Sequence, residues 1–217
     1  MPRDRPGGVY GQDTASIGRT WGRIGSEQGC RMSAEIALGI DGESVESIRT
    51  RYRPSRVRTL FVGESAPAGG TFFYCGNSGL RHYMEIAVLA AGLNPTGDFL
   101  RWFQSRDWYL DDLVLTPVNQ LNRPERRRAC LAARNSLAKR IADYRPEAIV
   151  SLLLGIKSFV RAAAEIAGTD AHLFAVPFAG NGQQARFVAE MTCILPKLPC
   201  QLQLPSLGLE YRLIGSQ

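Results

Sequence analysis

Val57-Arg58-Thr59-Leu60-Phe61-Val62-Gly63-Glu64-Ser65-Ala66-Pro67 decides the fold. An apolar, β-branched and aromatic run passes straight into glycine, a carboxylate, serine and proline, which reads as a buried strand ending in a tight loop. That loop stays small as far as Gly70 and then turns aromatic as Thr71-Phe72-Phe73-Tyr74. Downstream, Leu80, Tyr83, Met84, Ala87, Val88 and Ala91 follow helical spacing, and Gly92 closes the helix. Tyr109 to Leu115 reads as a second strand. A second helix shows its inner face as Cys130, Ala133, Leu137, Ile141 and Tyr144 and stops at Pro146. Ala148-Ile-Val-Ser-Leu-Leu-Leu154 is nearly continuous in apolar character, as a parallel strand covered on both faces requires. Ile156, Phe159, Val160, Ala163, Ala164 and Ala167 mark a third helix, and Leu173 to Val176 a short fourth strand. The last helix is read from about Asn181, as its N-cap, through Phe187, Val188, Met191 and Leu195 to Pro196.

Strand and helix alternating at this rhythm imply βαβ units. The expected fold is α/β: three α/β/α layers around a four-stranded, mostly parallel sheet in the order 2-1-3-4. Ligands of such sheets sit beyond the carboxyl ends of the strands. That rule selects the loops 63–74, 111–123, 155–158 and 177–186. The domain is expected over 44–198, with a helix at Glu43 to Tyr52 crossing onto it. Residues 1–43, polar and glycine-bearing, read as a mobile arm with one short helix near Ser33 to Leu38, and 199–217 as a tail.

The 217 residues are 45% hydrophobic and 21% charged, enough apolar material for a core without staples. The longest apolar stretch, Ala148 to Ile156, is too short for a bilayer, and the polar N-terminus lacks the apolar segment of a secretory signal. A cytoplasmic chain without membrane contact is expected, with a monomer as the working assumption. The five cysteines form no C-x-x-C pair, and His82 and His172 have no ligand-like neighbours, so no metal or other cofactor is expected.

The net charge of +6 is concentrated. Residues 121–145 carry Arg123, Arg126, Arg127, Arg128, Arg134, Lys139, Arg140 and Arg145 against Glu125 and Asp143, which leaves the remainder of the chain neutral. Focused positive charge suits a polyanion such as nucleic acid, while a solvated helix face is the plainer alternative. In the first loop, one ring of Phe72, Phe73 and Tyr74 could stack on a planar group, or fold into the core instead. Asp111 and Asp112 could place water or bind an imino N–H; equally, they could cap a turn or pair with the arginines after Asn122. The loop Pro177 to Gln184 could offer backbone N–H groups to a phosphate, or simply cap its helix.

A strand ending in Gly63-Glu64-Ser65-Ala66-Pro67, an aromatic some ten residues on, and a helix ending in Ala-Gly-Leu together resemble the uracil-DNA glycosylase superfamily. Tyr109-Leu-Asp-Asp-Leu-Val-Leu-Thr-Pro117 is similar to the strand-two motif of its mismatch-specific uracil/thymine branch. The basic helix, Tyr144-Arg-Pro and the apolar strand ending at Gly155 continue the likeness over roughly residues 57–195. The resemblance implies a DNA partner, single- or double-stranded, and excision of uracil or a related deaminated base. It implies that Gly63 to Pro67 activate water, sets Asp112 where the iron–sulfur branch has a base-reading asparagine, and matches Glu64 to that branch's acidic second position. The chemistry of a placed water and a departing anion makes Glu64, Ser65 and Asp112 the catalytic candidates. The resemblance makes Gly63, Phe73, Tyr74 and Asn119 base contacts, with Phe73 as the stacking ring. Arg123, Arg127 and Arg134 on the basic helix, and Asn181, Gln183 and Arg186 around the last loop, become DNA contacts. Three departures stand out: Ser65 occupies a position that is aspartate or asparagine in several branches, the late H-P-S or N-P-S signature is missing, and so are the cysteines of the iron–sulfur branch. A non-catalytic nucleic-acid-binding relative is therefore a second expectation. A third is a serine hydrolase, because Gly63-Glu-Ser-Ala-Pro67 nearly matches the G-x-S-x-G elbow and Ser65, Asp112 and His172 fall in the hydrolase order. Against it stand Pro67 in place of the final glycine and the placement of His172 ahead of its strand.

Overall fold

The computed structural model describes residues 44–69 and 71–200. The expectations for 1–43 and for the tail beyond residue 200 lie outside the described residues.

Four strands form one parallel sheet: β1 (Thr59–Gly63), β2 (Trp108–Asp112), β3 (Ala148–Ser151) and β4 (His172–Ala175), in the order β2-β1-β3-β4. Thr59 pairs with Trp108 on one side and Ala148 on the other, so the two apolar runs read from the sequence are adjacent parallel strands. Every residue of β1, β2 and β3 is buried, whereas the edge strand β4 is half exposed. The apolar runs outlast the strands because the chain stays buried after regular pairing stops. Leu113 N–H donates to the Gly63 carbonyl and Leu152 N–H to that of Val62, each at 2.9 Å.

The helices are α1 (Val45–Arg51), α2 (Gly79–Ala90), α3 (Phe99–Ser105), α4 (Arg123–Tyr144), α5 (Lys157–Ala167) and α6 (Gln184–Ile194). The passage from β1 to β2 runs one way along the sheet, and the passages from β2 to β3 and β3 to β4 run the other way. Right-handed crossovers therefore set α2 on one face and α4 and α5 on the opposite one. In agreement, α4 packs against α5, and α2 against α6.

Local sequence explains most boundaries. Ser44, Ser78 and Asp98 cap α1, α2 and α3 by accepting from backbone N–H groups. Asn122 and Glu125 form a reciprocal capping box at the start of α4. Asn181 is not the cap of the last helix: its φ of 52° belongs to a left-handed turn, and α6 begins three residues later at Gln184. Helix α3 carries no strong sequence signal, yet it supplies Phe99, Trp102 and Phe103 to an aromatic cluster with Phe61 and Trp108. At the base of the sheet, the Pro199 carbonyl accepts from Thr59 Oγ1 at 2.8 Å and Trp108 Nε1 at 3.1 Å, so ordered packing reaches just past 198. No helix among the described residues is long and apolar enough to cross a membrane.

Candidate functional site

A cavity of about 470 Å³ opens at the carboxyl ends of the strands, within the size range of small-ligand sites. Gly63 ends β1 at its floor, Asp112 ends β2 beside it, and Leu152 and Leu153 follow β3. Phe178, Ala179 and Asn181 come from the loop after β4, and Ser78 to Leu80 from the start of α2. Gly63 has to be glycine because a Cβ there would occupy the place of the Asp112 carboxylate. The strand therefore ends in the one residue that lets a neighbouring acid lie flat across it.

Asp112 lines the cavity from within a buried ion-pair network. Arg49 of α1, 1% exposed, donates from Nη2 to Asp112 Oδ2 at 2.5 Å and from Nη1 to Asp111 Oδ1 at 3.3 Å. Arg140 of α4 completes it, donating from Nε to Asp111 Oδ2 at 2.8 Å and from Nη2 to the Asp112 carbonyl at 2.5 Å. Burial pushes the Asp112 carboxyl up to about 6, against the pull of Arg49 and with the like charge of Asp111 adding to the rise. Pairing with an arginine after Asn122 was one of the alternatives the sequence left open. Arg49 is the partner it did not disclose.

Glu64, next to Gly63, forms an ion pair with Arg126 and approaches Cys130 Sγ at 3.9 Å. Burial and the Glu64 charge push the Cys130 thiol up. Ser65 Oγ accepts from Val118 N–H at 3.2 Å, and Asn119 Oδ1 accepts from Ala68 N–H at 3.1 Å. These two bonds tie the first loop to the second, and both side chains border the cavity. His172 begins β4, in register with Ala148 and hence with Thr59 at the amino end of β1. At about 3.3 Å per residue it lies roughly 13 Å along the strands from the Gly63 end, too far to reach Ser65. That geometry holds no Ser-Asp-His triad.

The three aromatics divide. Phe73 borders the cavity, but its ring is 3% exposed and packs edge-on to Tyr74 and Phe103. Phe72 also borders the cavity. Tyr74 does not: its hydroxyl donates to the Leu110 carbonyl at 3.0 Å and accepts from Leu110 N–H at 2.7 Å, and its ring stacks on Tyr52. Full burial holds its phenol neutral far above the ordinary range. Tyr74 is a core residue, and its hydroxyl tolerates full burial because the two bonds it exchanges with β2 satisfy it.

The expected DNA contacts are also divided. Asn181 borders the cavity; Gln183 and Arg186 do not, and Arg186 forms an i,i+4 pair with Glu190. Arg123 and Arg127 line a neighbouring cavity of about 290 Å³, which shares Glu64 and Arg126 with the first. Arg134 lies farther along α4 and donates to the Leu131 carbonyl of its own helix. Sequence reasoning does not single out Arg49, names Arg126 only as one member of the basic cluster, and reaches Phe178 only as part of the loop 177–186. The ring of Phe178, 40% exposed, rests over Gly180, where a Cβ would collide with it. Its signal is the Phe-x-Gly spacing in a loop. Arg49 also pairs with Glu46 of its own helix at i,i+3, but its partners at the site lie 62 and 63 residues away and leave no local signal.

No protein-family model matches the chain, and no curated protein is significantly similar to it.

Proposed function

We propose that this protein hydrolyses the N-glycosidic bond of a deaminated base, uracil or a related one, flipped out of DNA. The observation that carries the reading is convergence: Glu64, Asp112, Asn119 and the Phe73 ring border one concave site, with the arginines of α4 alongside it. In the proposed reaction, water oxygen bonds to C1′ while the C1′–N bond breaks and its electron pair leaves with the base. Glu64 orients that water and receives its proton, which then passes to the departing base. Asp112, clamped by Arg49, supplies fixed negative charge near the oxocarbenium-like sugar. The Ser65 hydroxyl, which accepts from Val118, retains its hydrogen for the base, a placed donor worth ~3 kcal/mol. Flipping costs a few kcal/mol, which phosphate contacts by Arg123 and Arg127 and insertion of Phe178 would offset.

A second reading, recognition without cutting, is favoured by one observation: both carboxylates at the cavity are already ion-paired to arginines. DNA affinity and single-turnover cleavage, measured for wild type, Glu64→Gln and Phe73→Leu, separate the two. Excision requires Glu64→Gln to lower cleavage by about 10²-fold or more with little change in affinity. Leucine is used at 73 because it keeps apolar volume while removing the ring face. A wild type that cuts nothing, with affinity lost in Phe73→Leu, leaves only recognition.

A further inference from the structure

The smaller cavity beside the site has its own chemistry. Arg123, Arg126 and Arg127, from the first turns of α4, line it together with Glu64, over a floor of Ile156 and Phe159. Three guanidinium groups against one carboxylate leave an excess of positive charge. Arg123 and Arg127 form no ion pair among the described residues, and Arg127 rests over the Phe159 ring at 5.7 Å. The single acid, Glu64, is the residue that also faces the larger cavity, and Arg126 holds it. A group that binds the arginines therefore competes directly for the cation that restrains Glu64.

We infer that the smaller cavity is a phosphate subsite, and that its occupancy takes Arg126 from Glu64 and frees that carboxylate toward the larger cavity. Inorganic phosphate and a monoester offer three or more terminal acceptor oxygens where a carboxylate offers two, a diester presents its two on a tetrahedral centre, and guanidinium forks fit each in pairs. Filling the subsite would then arm the neighbouring cavity only when a phosphate-bearing ligand is seated. The consequence for hydrolysis rests on the excision reading; the binding and the release of Glu64 do not. The phosphate could be a diester of a nucleic-acid strand or the monoester of a free nucleotide.

The test titrates the full chain with inorganic phosphate at constant ionic strength, beside a chloride control. The protein carries carboxyl-¹³C glutamate, and the Glu64 signal is identified as the one missing from Glu64→Gln. Saturating phosphate should move that signal, and the Arg123→Gln/Arg127→Gln double variant should bind phosphate about tenfold or more weakly while melting like wild type. Repeating the titration with deoxyuridine 5′-monophosphate and with a thymidine pentanucleotide lacking terminal phosphate assigns the source, monoester or strand, by which binds more tightly per phosphate. Equal phosphate affinity in the double variant, or a Glu64 signal unmoved at saturation, overturns the inference. A protein that releases no base but shows both effects keeps the inference and defeats excision; one that releases base with neither effect does the reverse.

Discussion

Removing the Arg49 guanidinium would strand the Asp112 carboxylate in the cavity wall, with Asp111 left to Arg140 alone. Breaking a buried pair from one side costs about 3–5 kcal/mol. Arg49→Leu should therefore lose stability on that scale by urea denaturation, and a loss below about 1 kcal/mol would show that the network contributes little. Asp112 also carries a pH signature. Burial raises its carboxyl from 3.8 to about 6, so between those values the folded protein holds the proton more often than the unfolded chain. Stability from this group is full below the lower value and falls as pH rises through the upper one. Asp112→Asn should remove that decline from the stability profile between pH 4 and 7, and a decline that persists unchanged assigns it to another group. At the floor, Gly63→Ala forces the carboxylate aside and should cost about 1–3 kcal/mol, read as a lowered melting temperature. The sequence left open the pairing of an acid with an arginine after Asn122, which Arg140 fulfils, but disclosed neither Arg49 nor the contact over Gly63. The need for a small residue at 63 is visible there, but the acid lying over it comes from another strand 49 residues on.

Elements are far more legible than contacts. β1 and β3 stand out because parallel strands covered on both faces must be apolar throughout, and α2, α4 and α5 because their inner faces recur at helical spacing. Helix α3 is only seven residues long, so its buried Phe99, Leu100, Trp102 and Phe103 and its polar Arg101, Gln104 and Ser105 span too few turns to establish a period. The start of α6 lies three residues beyond the expected one because an asparagine can serve either as a cap or as a left-handed turn residue, and only the backbone distinguishes them. Helix α4 carries a prediction of its own. Charge reversal at Arg127 and Arg134 should weaken binding to any DNA sequence and lower the salt slope by about one unit for each phosphate no longer neutralised. Because Arg134 already donates to its own helix, Arg127→Glu should account for the larger share. Affinity and slope unchanged in both variants would return α4 to the role of a solvated face.

At the scale of the whole molecule, the sheet order and the strand-end rule together locate the site. All four selected loops reach the two cavities, and seven of the expected site residues, Gly63, Glu64, Ser65, Phe73, Asp112, Asn119 and Asn181, border the larger one. What sequence could not supply is how the carboxylates are engaged, because ion pairs spanning some sixty residues leave no local pattern. That engagement is also what separates excision from recognition alone. The most direct measurement incubates wild-type protein in excess with single- and double-stranded DNA carrying uracil, hypoxanthine or xanthine at one position, then applies hot alkali to reveal abasic sites. Strand breaks at the modified position are expected for at least one of the three bases, and none with Glu64→Gln. DNA that is bound yet left intact with every base would defeat excision.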